Sequence, residues 1–253
     1  MPFTQSLMKS DPNDILLNNP TEFKSLVMAL FYVAKKCRPD ILFPVAYLAT
    51  EAASPTEELM EKARIVLAYL YETKDMEMTH NCNSESNDGL YAFVDASYAI
   101  HKDMKGHTGA LIFDELMNLF YSSSNKQKLM GKSSTDAEII GAHSTMNTIE
   151  SLKALHDELT GGNGSVILFQ DNLSAKYLME NGDSASDKSK HMKVRYFYVK
   201  EKVDDKIVEI KYCNTDVMWA DLLIKPITNK RTFALMRSKI MNFQPGDKYY
   251  VSG

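Results

Sequence analysis

The spacing of apolar residues divides the chain into two stretches of different character. Thr21 to Ala34 (TEFKSLVMALFYVA) repeats its apolar positions at helical intervals. Pro55 to Tyr71 predicts a second helix, with Thr56 as cap and Ile65, Val66, Leu67 and Leu70 on the buried face. From residue 90 the period changes. Leu90 to Val94 alternates as a strand, and Thr108 to Phe113 and Met117 to Ser122 read as a hairpin about Asp114 and Glu115. A long helix from Thr135 to Leu159 stops at Gly161 and Gly162. After it come a strand (Ser165 to Gln170), helices over Leu173 to Glu180 and Lys188 to Val203, a strand over Lys206 to Tyr212 and a helix over Asp216 to Leu223. Between the two stretches, His80 to Gly89 (HNCNSESNDG) is polar and ends in Asp-Gly, the composition of a linker. The expected organisation is a mainly helical segment at 1–80, a linker at 81–89, an α/β domain at 90–243 and a tail at 244–253.

Composition changes this picture little. Hydrophobic residues make up 44% and charged residues 25% of 253 positions, an ordinary globular balance with enough chain for two cores. The longest apolar run, Leu26 to Ala34, is far shorter than a membrane span, and no basic start with an apolar h-region precedes it. Cys37, Cys82 and Cys213 are odd in number and widely spaced, so neither a disulfide framework nor a zinc site is implied. A reducing setting, cytoplasmic or nuclear, is the expectation.

Charge is more informative when divided along the chain. The net charge is −4, yet residues 1–90 carry 8 Lys/Arg against 13 Asp/Glu, which leaves the remainder slightly basic. Its cations fall in three clusters: Lys126, Lys128 and Lys132; Lys188, Lys190, Lys193 and Arg195; and Lys225, Lys230, Arg231, Arg237 and Lys239. Such local patches bind phosphates, although Lys-rich helix faces also serve as plain solvated surface.

Four acids stand in four separate motifs: Asp95 in FVDASYA, Glu138 in KSSTDAEIIGA, Asp171 in LFQDNLSA and Asp221 in MWADLLIKP. If the strands ending near Asp95 and Asp171 are parallel neighbours, a right-handed crossover brings both carboxylates to one carboxyl edge of the sheet. Acids gathered so closely need cations or raised carboxyl pKa values. Hydrolysis by two Mg²⁺ ions asks for such a set, with one ion activating water and the other steadying the leaving oxygen. Each acid also admits a local reading. Thr135-x-x-Glu138 matches a capping box, Asp171-Asn172 a helix cap, Asp95 a turn residue and Asp221 a lone polar position on an apolar helix.

In these residues the chain resembles the ribonuclease H domain of copia-type retrotransposon Pol polyproteins. The segment Ser189 to Val203 (SKHMKVRYFYVKEKV) is similar to that family's basic K-H-I-D-I-R-Y-H-x-I-R-E-K-V helix. Phe23 to Val27, Cys37 to Phe43 and Ser54 to Glu57 resemble the end of the reverse transcriptase and its connection. The resemblance implies an α/β ribonuclease H-like fold, with a five-stranded mixed sheet flanked by helices, preceded by a smaller mainly helical connection segment. It implies Asp95, Glu138, Asp171 and Asp221 as the catalytic set, holding two Mg²⁺ ions for which Mn²⁺ is a possible substitute. The implied substrate is the RNA strand of an RNA–DNA hybrid, and the implied partner is the polymerase portion of the same polyprotein, with no membrane.

A hybrid is sensed through 2′-hydroxyls and phosphates across a wide minor groove. Ser134, Thr135, Asn172 and Ser174 lie beside the acids and could serve sugars, or could serve only as caps and turns. Lys188, Lys190, His191 and Arg195 match the family's basic helix and are the expected phosphate contacts. The sequence departs from the family at Ile139 (usually aromatic), Gln170 (commonly Cys), Lys193 (usually acidic) and Ile224 (usually Thr), none of them a proposed ligand. No Tyr-x-Asp-Asp signature occurs, so polymerisation by this chain alone is not expected. A catalytically silent remnant that only binds nucleic acid or packs is the alternative reading. A transposase or integrase is disfavoured because Glu138 precedes Asp171.

Overall fold

Asn19 accepts a hydrogen bond from the Thr21 amide and Pro20 supplies a preset first residue, so the chain enters helix α1 (Pro20–Lys36) there. Its buried residues, Phe23, Val27, Leu30 and Ala34, recur every three to four positions as the apolar spacing predicts. A 3₁₀ turn (Pro39–Ile41) leads into α2 (Leu42–Thr50), a helix absent from the sequence expectations. Leu42 to Leu48 are all buried, so the segment has no polar face to reveal a helical period. Helix α3 (Glu57–Glu72) is capped by Thr56, whose hydroxyl accepts from the Leu59 amide at 3.4 Å. The computed structural model describes residues 1–3, 6–9, 11, 14–82, 89–162, 164–182 and 190–251. Residues 1–79, 124–126 and 225–253 form one compact unit, and residues 80–123 and 127–224 the other.

The second unit is built on a sheet of β1 (Leu90–Ser97), β2 (His107–Phe113), β3 (Leu119–Lys126, of which residues 124–126 are grouped with the first unit), β4 (Val166–Gln170) and β5 (Val208–Tyr212). The strand order is β3-β2-β1-β4-β5. Strands β1 and β2 are antiparallel, with Asp95 opposite Gly109, whereas β1–β4 and β4–β5 are parallel. Between β3 and β4 runs α4 (Ser134–Thr160), closed by Gly161 at φ 68°, a left-handed conformation that favours glycine. Then follow α5 (Leu173–Asn181) and α6 (Lys190–Asp204). This is the ribonuclease H-like arrangement that the resemblance implied.

Two layers of packing hold the sheet. Leu90, Ala92 and Val94 of β1 meet Ile139, Ala142 and Met146 of α4, together with Met192, Tyr196 and Val199 of α6. The alternate side chains form an aromatic face: Phe93 stacks on Phe169 at 4.6 Å and on Trp219 at 4.7 Å, with Phe113 edge-on at 5.8 Å. The segment carrying Trp219 corrects an expectation. Asp216 to Leu223 is not one α-helix but two 3₁₀ turns, Thr215–Val217 and Trp219–Leu223, separated at Met218 by an extended ψ of 85°. Burial of Ala220 to Leu223 against the sheet, together with the stacked indole, overrides the local helical pattern.

In the first unit, α7 (Lys230–Ile240) is a second helix that the sequence reading did not assign, capped by Asn229. Its Arg237 donates to the Tyr69 hydroxyl at 2.9 Å, and that hydroxyl donates to Asp40 at 2.7 Å. Asp40 is also paired with buried Arg38 at 2.8 Å. None of the helices among the described residues is long and apolar enough to cross a membrane.

Candidate metal centre

Parallel pairing of β1 with β4 sets Phe93 opposite Phe169, so the residues two positions further on, Asp95 in β1 and Asp171 just past the end of β4, arrive at the same sheet edge. The N-terminal turns of α4 add Glu138. One carboxylate oxygen from each of Asp95, Glu138 and Asp171 lies within 4.8 Å of the others. Asp221, also buried, lies beside Asp95, whose carboxyl it raises more than anything except burial. Gly109 makes that approach possible: a Cβ there would stand 2.7 Å from Leu223 Cβ and 2.9 Å from the Ala220 carbonyl oxygen. Ser97 Oγ donates to the Ile224 carbonyl at 3.0 Å and ties down the end of the same segment.

The capping reading of Glu138 is not what the structure shows. Ser133 is the cap, accepting from the Asp136 amide at 3.1 Å, and Thr135 lies inside the helix. Glu138 instead turns toward the acids. Its Oε1 accepts from the Ala96 amide at 3.3 Å, an N–H that also reaches Asp95 Oδ1 at 2.8 Å, and its Oε2 accepts from Gln170 Nε2 at 3.1 Å. Asp171 is the more open acid, and its Oδ2 accepts from Thr215 Oγ1 at 2.9 Å. Gln170 and Thr215 were not singled out as site residues. Only the Gln170 departure from the family pattern pointed at either one.

Burial dominates the electrostatics. Asp95 and Glu138 are 4% exposed and Asp221 is 5% exposed. Loss of solvent, then the Asp221 carboxyl, pushes Asp95 up to about 8, and loss of solvent with the neighbouring charge of Asp95 pushes Glu138 well above the carboxylate range. Burial beside Asp171 and Asp95 lifts the Cys213 thiol to about 12. A set of buried oxygen donors whose ionisation is opposed by lost solvent and by one another fits a hard divalent cation, which favours the charged carboxylates and offsets their repulsion. The donor chemistry therefore suits a divalent metal site.

The remaining expected contacts lie around this edge in different ways. Ser134 is exposed and Thr135 half-buried at the start of α4. Asn172 caps α5 by accepting from the Ala175 amide at 3.0 Å, the local role that its sequence position allowed. Lys190 and His191 are exposed on the first turn of α6, and Arg195, half-buried one turn on, donates back to the His191 carbonyl. Lys188 lies outside the described residues.

Sheet order, crossover and a carboxyl-edge acid cluster define a ribonuclease H-like domain. The chain is homologous over most of its length to retrovirus-related Pol polyproteins of copia-type transposons. It is 30% identical over 227 residues to that from transposon RE1 of Arabidopsis thaliana, covering 88% of this chain and 15% of the relative. It is 27% identical over 209 residues to that from transposon TNT 1-94 of Nicotiana tabacum, covering 83% and 15%. The chain thus spans about 15% of the length of the curated relatives it matches. No protein-family model matches it. Among solved structures it is similar to LC11 ribonuclease H1 isolated from compost, at 16% identity and a TM-score of 0.42, covering 54% of this chain and 93% of that one.

Proposed function

We propose that this chain is the ribonuclease H part of a copia-type Pol polyprotein: an endonuclease that uses two Mg²⁺ ions, or Mn²⁺ in their place, to hydrolyse the RNA strand of RNA–DNA hybrids. The observation that carries this reading is the convergence of Asp95, Glu138 and Asp171 within 4.8 Å, with Asp221 buried beside Asp95. These four would hold the cations. Bound there, the ions supply water activation and charge neutralisation at the phosphate. Asp95, whose Oδ1 shares the Ala96 amide with Glu138, would be held in place among the residues that bind the ions. Asp171, the most accessible acid, faces incoming substrate.

The chain's other residues would bind and orient the hybrid. Lys190, His191 and Arg195 on α6, with Lys188 before it, would neutralise backbone phosphates, making binding steeply salt-dependent. Ser134 and Thr135 would offer hydroxyls, and Asn172, whose Oδ1 is spent on the cap, would offer its amide N–H groups to sugars. Residues 1–80 would act as connection to the polymerase portion, in the cytoplasm or nucleus.

The test is cleavage of an RNA-labelled hybrid with Mg²⁺, beside single-stranded RNA, duplex DNA and the Asp171→Asn protein. Cutting confined to the hybrid and lost in the variant supports the reading. Hybrid binding by folded protein with no cutting at any divalent ion would replace it with a binding module.

A further inference from the structure

We propose that Gln170 is a positioning residue of the metal centre, its amide fixing the orientation in which Glu138 meets a cation. This rests on the nuclease reading above. Gln170 is the last residue of β4, immediately before Asp171, and is 2% exposed. Its Nε2 donates to Glu138 Oε2 at 3.1 Å while the Ala96 amide donates to Oε1 at 3.3 Å. Glu138, on a helix, is therefore held through both oxygens by β1, which carries Asp95, and by β4, which ends immediately before Asp171. The Gln170 backbone is pinned as well, its carbonyl accepting from the Cys213 amide at 3.1 Å.

Two features separate this from ordinary packing. Gln170 Oε1 is buried without a hydrogen-bond partner among the described residues. An amide buried with one end unpaired is less stable than an apolar side chain of the same volume, so the residue is a poor choice for filling space alone. Its charge type is also specific. A Lys or Arg donor would compete with a cation for Glu138, and an acid would add repulsion, whereas a neutral N–H orients the carboxylate and leaves its charge for the metal. Partners of this kind behind a metal ligand alter affinity by roughly 10- to 100-fold.

The experiment compares wild type with Gln170→Met, which keeps the volume and removes the donor. Mn²⁺ is titrated without nucleic acid by calorimetry, and Mg²⁺ is titrated in the cleavage assay. The expected result is a dissociation constant for Mn²⁺ weaker by roughly 10- to 100-fold. The Mg²⁺ concentration for half-maximal cleavage should rise by the same factor and the maximal rate recover at saturation, a split that general loosening of the fold does not produce. Wild-type affinity in Gln170→Met overturns the assignment. If that variant does not fold, the Gln170 side-chain amide resonance of the unaltered protein decides. Movement on Mg²⁺ binding supports the role, and an unmoved resonance overturns it. Mn²⁺ binding by wild type that Asp95→Asn does not weaken sinks the nuclease reading and this inference together. Asp95-dependent binding with Gln170→Met unaffected sinks this inference alone.

Discussion

Replacing Asp95 with Asn in cation-free protein should make the fold more stable at alkaline pH, against the usual outcome for a buried site. The carboxyl is raised from 3.8 to about 8, first by burial and then by Asp221. A folded-state pKa above the unfolded one means that the native state holds the proton more tightly. The associated stability is complete below pH 4 and is lost as pH rises through about 8. At 1.36 kcal/mol for each tenfold change in proton affinity, the loss is on the order of 5 kcal/mol. Asn keeps the Oδ1 acceptor for the Ala96 amide, bonded at 2.8 Å in the wild type, and gives Asp221 an N–H donor. His107 works in the opposite direction. Burial holds it down at about 3, so its contribution is lost as pH falls below its ordinary 6.5. Only the difference between the two proteins isolates Asp95. Thermal unfolding in chelator at pH 5, 7 and 9 should show Asp95→Asn gaining on wild type by several kcal/mol across that range. That gain corresponds to about 2–4 °C of midpoint per kcal/mol. Saturating Mg²⁺ should stabilise wild type at pH 9 and leave the variant unmoved, since a ligand bound only to the folded state raises stability by mass action. Parallel pH curves for the two proteins would refute the reasoning.

Other perturbations follow from single contacts. Gly109→Ala places a Cβ 2.7 Å from Leu223 Cβ and 2.9 Å from the Ala220 carbonyl, so the Trp219–Leu223 turn must move and carry Asp221 with it. The expected outcome is a loss of about 1–3 kcal/mol in chemical denaturation and a larger fall in hybrid cleavage than that destabilisation explains. Tyr69→Phe removes the hydroxyl between Asp40 and Arg237, and should lower stability in urea titration by about 1–3 kcal/mol without changing Mn²⁺ affinity. Replacing Lys190 and Arg195 by Ala should weaken hybrid binding and flatten its dependence on salt, read by fluorescence anisotropy at several ionic strengths.

The strands and the long helix were legible because each has a strong period and clear punctuation. The strand expected from Leu90 begins at Leu90, although β1 is buried on both faces, and Gly161 of the paired glycines closes α4. The parallel pairing that brings Asp95 and Asp171 together followed from a crossover rule and two strand ends. What escaped depended on tertiary packing. Helix α2 is buried all round and hides its period, and the turns carrying Asp221 look helical until Gly109 and the aromatic face are known. Ser133, not Thr135, is the cap, so the capping-box alternative for Glu138 fails, and Glu138 meets Ala96 and Gln170 instead. Gln170 was marked only by its departure from the family pattern, since a glutamine at a strand end is otherwise unremarkable until its partner is seen.

The most direct test of the account is diffraction from crystals of the chain with an RNA–DNA hybrid, soaked in Mn²⁺ and measured at the manganese edge. The account predicts anomalous peaks among Asp95, Glu138, Asp171 and Asp221, with an RNA-strand phosphate beside them. Peaks elsewhere, no peak at these acids, or a DNA-strand phosphate in that place would contradict it.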